Sequence, residues 1–422
     1  MSGSMMTENQ LEKLISEEYT KNSSVHKIQP KVSVSLLAYN HGAFIAQALD
    51  SILSQQVNFD YEIVIGEDCS QDNTREIVLS YQKKNPKKIR VFLSHKPLND
   101  GKSGRLNFVR NLKTCRGEYV ALLDGDDYWT SPHKLQKQVD YLDSDSSYAI
   151  CFHNVFRLYE NGSLQPWNLR SFQKERYTLE DLLEGNFIPT CSTMFKNKLF
   201  DEIPQWYYEA AMGDWPLHIL NAHYGDIGFI DEVMGVHRIH GGSVWSSRNR
   251  VDLLHKSIRA AEIIQQGLSS KHREKIEYTI GRWFWEIKEI HFKEMNEKRI
   301  SLPTDGGRKD IHSHKIILAK KITKELRLSG KKARAAGIIQ GLQDKIFVLA
   351  AEKNSKLASS CAKQVLYTFG HRNGIARMDL INLILSINFP RLQKRLASLR
   401  RTALRKYHGW HQDNAAKEPS IQ

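Results

Sequence analysis

The chain contains no apolar run approaching the roughly 20 residues that a membrane-crossing helix needs. Its first ten residues, Met1 to Gln10, are polar where a secretory signal would be apolar. The five cysteines, at 69, 115, 151, 191 and 361, stand far apart without a Cys-x-x-Cys pair. That spacing excludes a zinc knuckle, argues against a disulfide framework and fits a reducing, cytoplasmic setting. Gly101-Lys102-Ser103 lacks the glycine four residues upstream that a phosphate-cradling P-loop requires. No internal repeat of fixed period is present. Acidic residues are scarce in the back half: from residue 251 on there are 34 Lys and Arg against 16 Asp and Glu. The front 250 residues carry 27 against 31, so the net charge of +14 belongs to the back half. Such asymmetry suggests two modules with different partners.

With 422 residues, 41 % of them hydrophobic, the chain has room for two or three domains with substantial cores. Residues 1–30 read as a polar extension with a loose helix over 10–19. From Lys31 the pattern alternates. Strands are predicted over 31–38, 61–65, 89–93 and 119–123, and helices over 42–56, 73–83 and 105–115, where apolar residues recur at helical spacing. This order predicts an α/β domain over 31–250, its mostly parallel sheet covered by helices on both faces. A helix to about Leu142, a strand over 148–158, a surface loop over 161–167 and a short helix over 178–184 follow. A helix beginning at Asp214 and a strand over 227–236 complete the domain. From 251 to 422 the texture is helical and basic, interrupted by a linker over 301–313.

Ligands of such sheets bind beyond the carboxyl ends of the strands. Here those ends carry Tyr39-Asn40, Glu67-Asp68 and Asp124-Gly125-Asp126-Asp127. Three carboxylates within four residues repel one another in a cleft unless a divalent cation sits among them, and hard oxygen donors suit Mg²⁺ or Mn²⁺. Ser131 reads as the N-cap and Pro132 as the first position of the helix after this cluster.

Taken together, several stretches resemble family 2 glycosyltransferases with the GT-A fold, of the kind that builds bacterial surface polysaccharides. They are Ala38 to Gly42, Ser51 to Gln55, Glu67 to Thr74, Asp124 to Trp129 with Lys134-Leu135-Gln136, Gly213 to Pro216, and Arg238-Ile239-His240 with Ser243. They span about 32–245; the last 170 or so residues are not covered. The resemblance implies a nucleotide-sugar donor, most simply a UDP-sugar, and a saccharide or lipid-linked acceptor. It implies that Tyr39 and Asn40 flank the nucleotide, with Glu67 and Asp68 beside them and Asp68 at the uracil edge. Asp124 would face the ribose next to Gly125, and Asp126 would ligate the Mn²⁺ or Mg²⁺ that bridges the diphosphate. His240 would be a further metal or diphosphate contact, or else a turn histidine beside Gly241-Gly242. The family's usual Asp-Asp-Gly-Ser turn reads Glu67-Asp68-Cys69-Ser70, which removes a conformationally permissive glycine.

Glycosyl transfer also needs a base for the acceptor hydroxyl. Asp214 is the candidate, with a plain N-cap as the competing reading; one base and one displacement predict inversion. Lys102 and Arg105 could meet phosphate at a helix start, or be solvated charges. Trp129, Trp215 and Trp245 could stack on a sugar or fill the core. Residues 379–406 form a basic amphipathic stretch suited to an anionic membrane surface, or to a helical or partner-chain contact such as a homo-oligomer. The rival functions are nucleic-acid binding by the basic half, for which no recognition motif appears, and a non-catalytic scaffold.

Overall fold

The computed structural model describes residues 29–95, 105–167, 174–210, 212–242 and 249–300. The chain divides into two compact units, 1–276 and 277–422. The first is built on one sheet. Strands β1 (Val32–Ala38), β2 (Tyr61–Glu67), β3 (Ile89–Leu93) and β4 (Tyr119–Asp124) pair in parallel in the order β3-β2-β1-β4. Their residues are almost all buried, as in parallel strands covered on both faces. The connecting helices are α1 (Ile45–Leu53), α2 (Thr74–Lys84) and α3 (Arg105–Thr114). Helix α1 buries Ile45, Ala48, Leu49 and Ile52, one face at helical spacing.

The second half of the sheet departs from simple alternation. Strand β5 (Tyr128–Trp129) and helix α4 (Lys134–Ser144) lead to the long strand β6 (Tyr148–Tyr159). Strand β9 (Met194–Lys196) joins the two halves, antiparallel to both β4 and β6. Strand β10 (Asp226–Ile239) runs parallel to β6 and closes the order β4-β9-β6-β10-β5. The expected surface loop over 161–167 contains an exposed edge strand, β7 (Leu164–Pro166), hydrogen-bonded to β6. Strand β8 (Arg176–Tyr177) pairs with β10. Thus the long strands lie in two parallel sets, and short antiparallel strands with little sequence signal of their own stitch them together.

Four helices complete the described chain: α5 (Leu179–Leu182), α6 (Asp214–Ala222), α7 (Arg250–Ile264) and α8 (Ser270–Ile300). Thr178 caps α5 through its backbone N–H, which donates to Asp181 Oδ2 at 2.9 Å. Ser131 and Pro132 do not open α4, which begins two residues later. The Ser131 hydroxyl takes the His133 amide at 3.3 Å, and its carbonyl takes Gln55 Nε2 at 2.8 Å. Those bonds hold the segment in a turn before the helix can start.

A polar cluster locks the strands behind the site. Glu62, 2 % exposed, accepts from Ser33 Oγ at 2.6 Å, from the Arg116 backbone amide and Nε at 2.9 Å each, and from Arg90 at 3.3 Å. It ties β1, β2 and β3 to the turn that launches β4. The predicted linker at 301–313, the later helices and the basic stretch 379–406 lie outside the described residues. No helix among those described is long and apolar enough to cross a membrane.

Candidate active site

Parallel register brings the three polar strand ends together. Ala38 is level with Glu67, and Leu37 with Asp124, so Tyr39-Asn40, Asp68 and the acidic turn share one edge of the sheet. Tyr39 leaves β1 with 38 % of its surface exposed, a ring face available at this edge. Asn40 follows in the left-handed region at φ 54°, and Cys69 adopts φ 60°. Cys69 stands where the family's usual glycine would, and it takes the glycine's conformation despite its side chain. The turn is over-determined by its neighbours. Ser70 N–H donates to Glu67 Oε1 at 2.6 Å, Asn40 N–H to Ser70 Oγ at 3.0 Å, and Gln71 N–H to Asn40 Oδ1 at 2.8 Å. Glu67 is also held by Arg75 Nε at 2.6 Å, so its carboxylate organises the turn. Asp68 is buried, and the buried guanidinium of Arg110 interacts with both it and Glu67. Burial brings Arg110 down to about 10 against that acidic pull.

The acidic turn is the second wall. Gly125 N–H donates to Leu37 O at 2.8 Å, and a side chain there would meet His41 and the Leu37 carbonyl at under 3 Å. Asp127 is structural: its carboxylate takes the Arg238 backbone amide at 2.8 Å and lies 3.1 Å from His237 Nδ1. Against the cost of burial, that pairing carries His237 up to about 9. Asp126 faces His240, with Oδ2 and Nε2 3.1 Å apart, and His41 Nε2 lies 3.8 Å from the same oxygen. Burial opposes its charge, but the His240 contact, then His41 and His237, hold its carboxyl at about 2. Asp124 is pushed the other way, well above the usual carboxyl value, by burial and then by Asp126, Asp127 and Asp214.

Arg238 closes this corner. Its guanidinium lies 4.8 Å from the Phe44 ring and 4.7 Å from the Tyr128 ring, and it donates to Asp126 O and Gln47 Oε1. The residues that carry it arrive through an irregularity. The β10–β6 register shifts between Ile230 and Val233 and again before Gly235, and beyond the shifts Val236 pairs with Tyr128. Bulges of this kind re-aim side chains next to sites.

Could this corner hold a divalent cation? Among the described residues no three His, Cys, Asp or Glu side chains converge on one metal position. Two do. Donors bound about 2.1 Å from one octahedral ion, at right angles, lie about 3.0 Å apart. The 3.1 Å between Asp126 and His240 matches that spacing. Mg²⁺-type ions are commonly held by one or two side chains, with substrate phosphates and water completing the shell. The described residues therefore offer a cation two donors at this corner, Asp126 and His240, which the structure joins to each other by a hydrogen bond.

Asp214 forms the far side. It is the first residue of α6, with Gly213 at the cap position, and its carboxylate also meets backbone amides of the first helical turn. Half-buried, it accepts from Asn186 Nδ2 at 2.8 Å. Burial raises its carboxyl above the ordinary value, against backbone amides of the first helical turn, Asn186 and Thr190. Arg105 is buried, and its guanidinium donates to Ala210 O within the fold. Trp129 and Trp215 are both core side chains, their indole N–H groups donating to Cys191 O at 2.8 Å and Leu182 O at 3.0 Å. Lys102, Ser243 and Trp245 lie outside the described residues. Sequence reading did not single out His41, Arg110, Gln47 or Asn186. Polar residues at 107, 110 and 111, one face of a predicted helix, were a legible signal for Arg110; the others had none.

Residues 33–203 match the family model for glycosyl transferase family 2. That stretch, less than half of the chain, is similar to that family. An uncharacterized protein of Mycobacterium tuberculosis is 36 % identical over 217 residues, 51 % of this chain and 61 % of its own. The chain thus spans about three fifths of that relative's length. A putative teichuronic acid biosynthesis glycosyltransferase of Bacillus subtilis, TuaG, is 28 % identical over 222 residues, 52 % of this chain and 83 % of its own. Among solved structures, S. aureus TarS 1–349 in complex with UDP aligns with TM-score 0.45 at 17 % identity, covering 84 % of this chain and 90 % of that one. The matched stretch lies within the first unit, whose mixed α/β sheet is that of a GT-A-like fold.

Proposed function

We propose that the domain transfers a sugar, with inversion, from a UDP-sugar to a saccharide or lipid-linked acceptor in surface polysaccharide synthesis. The observation that carries this reading is the convergence on one sheet edge of Tyr39, Asp68, Asp124 and the Asp126–His240 pair. Tyr39 offers a ring face for the base, and Asp68, just past Glu67, and Asp124, level with Leu37, lie at the same sheet end for the polar edges of base and ribose. Asp126 and His240 would hold the cation, Mn²⁺ or Mg²⁺, which when bound supplies positive charge to the leaving diphosphate. Around it, Asp127 favours the charged form of His237, and Arg238 fixes the backbone of the acidic turn. Asp214 is the base. Burial lifts its carboxyl above its ordinary value, which makes the carboxylate a better acceptor for the hydroxyl proton. A single base of this kind, with no second carboxylate assigned as nucleophile, supports direct displacement. The basic segment 379–406 and a setting at the cytoplasmic face of a membrane fit a lipid-linked acceptor.

Calorimetric titration of UDP, GDP and TDP with and without Mn²⁺ tests this. Metal-dependent binding of UDP is expected in the wild type and is lost in Asp126→Asn. Equal affinity in that variant, or no nucleotide bound by the wild type, would sink the reading.

A further inference from the structure

The carboxylate assigned as base is held by a side chain to which nothing so far gives a role. Asn186 lies in the loop after α5, 28 residues before Asp214 and on a different element. Its amide is oriented from both ends. Oδ1 accepts the Ile188 backbone N–H at 3.2 Å, which leaves Nδ2 to donate, and Nδ2 reaches Asp214 Oδ2 at 2.8 Å. Exchanging the amide's O and N would set an oxygen against the carboxylate and an N–H against the Ile188 N–H, so only one orientation satisfies both contacts.

We infer that Asn186 is a positioning residue for the base: its amide fixes the rotamer of Asp214 and donates a hydrogen bond to the ionised carboxylate. This rests on the reading of Asp214 as base. The pressure toward the neutral form is visible from each side. Asp124 at the end of β4 interacts with Asp214 as a like charge. Tyr207, buried in the 3-10 turn Gln205–Glu209, interacts electrostatically with the carboxylate and donates its hydroxyl to Gly213 O at 2.7 Å. The Thr190 hydroxyl and the backbone N–H groups of the first helical turn assist Asn186. A donor to the ionised form lowers a carboxyl pKa, and its removal raises it. One charge-assisted hydrogen bond corresponds to about one to two pH units.

The test needs neither donor nor acceptor. Full-length protein is treated with a carbodiimide and glycine ethyl ester across pH 4–8, and labelling of the Asp214 peptide is read by mass spectrometry. Because the protonated carboxyl couples, the midpoint reports its ionisation. In Asn186→Ala the midpoint should rise by about one unit, and in Asn186→Asp, which adds a like charge, by more. In parallel, turnover of a UDP-glucose, UDP-galactose and UDP-N-acetylglucosamine panel should show kcat falling at neutral pH. The acid limb should move upward, with the donor KM and the Mn²⁺-dependent UDP affinity of wild type kept. A midpoint that stays put in both variants overturns the inference, as does a kcat loss that is the same at every pH. Loss of UDP affinity in Asn186→Ala and Asn186→Asp together also overturns it, since the residue would then be supporting the fold. Failure of the glycosyltransfer reading looks different: wild type binds no UDP, whatever the labelling midpoint of Asp214.

Discussion

Glu62→Gln removes the anion shared by one buried guanidinium, Arg90, and one partly exposed guanidinium, Arg116. Breaking a buried ion pair by deleting one partner costs about 3–5 kcal/mol. Arg116 keeps a quarter of its side chain in water and can rehydrate, which places the cost near the lower end, about 3 kcal/mol. Gln retains an oxygen for the Arg116 amide and the Ser33 hydroxyl, so the backbone bonds need not be lost. Against a total stability of roughly 5–15 kcal/mol this is a large fraction. It corresponds to a fall in Tm of about 6–12 °C for a unit of this size. The sign with pH follows from the direction of the shift. Despite burial, Arg116, Ser33 and Arg90 hold the Glu62 carboxyl below its usual value. Its contribution is therefore complete above the unfolded carboxyl value, about 4.3, and is lost as pH falls through the lowered folded value. Urea denaturation followed by tryptophan fluorescence at pH 7 and pH 3 measures both effects, with the slope m as a check on two-state behaviour. A deficit below about 1 kcal/mol at pH 7, or one that holds or widens toward pH 3, would refute this account.

Two further outcomes follow from the same structure. Cys69→Gly should stabilise the domain by roughly 0.5–1 kcal/mol, because glycine adopts φ 60° without the Cβ clash; a loss of stability in thermal melts would show that the Cys69 side chain packs usefully. Lys134 is fully buried 3.9 Å over the Trp129 ring, with no hydrogen-bond acceptor among the described residues, and burial brings it down to about 7. The unfolded chain then holds more protons between pH 7 and its ordinary value, so wild-type stability should rise over that window. Lys134→Met should be the more stable protein at pH 6 and should lose that rise; parallel denaturation curves from pH 6 to 10 would contradict it.

The sequence by itself determined the parallel strands β1 to β4, their helices and the polar residues at their ends, because each is a local pattern of apolar period and turn chemistry. It also placed Asp126, Asp214 and His240 in three stretches that together resemble one family, although 88 residues separate Asp126 from Asp214 and no local rule connects them. What it could not carry were β5, β7, β8 and β9, two or three residues each, too short for any period to register. Nor could it carry the register shift in β10 that turns His237, Arg238 and His240 onto the acidic turn, since that depends on pairing with β6 and β5. The missing glycine illustrates the same division. Locally, Cys69 argues against a left-handed turn; in the fold, Glu67, Ser70 and Asn40 bond the turn into that shape regardless. Asn186 was silent for the same reason. An asparagine in a loop has many uses, and only the folded chain sets its amide against Asp214.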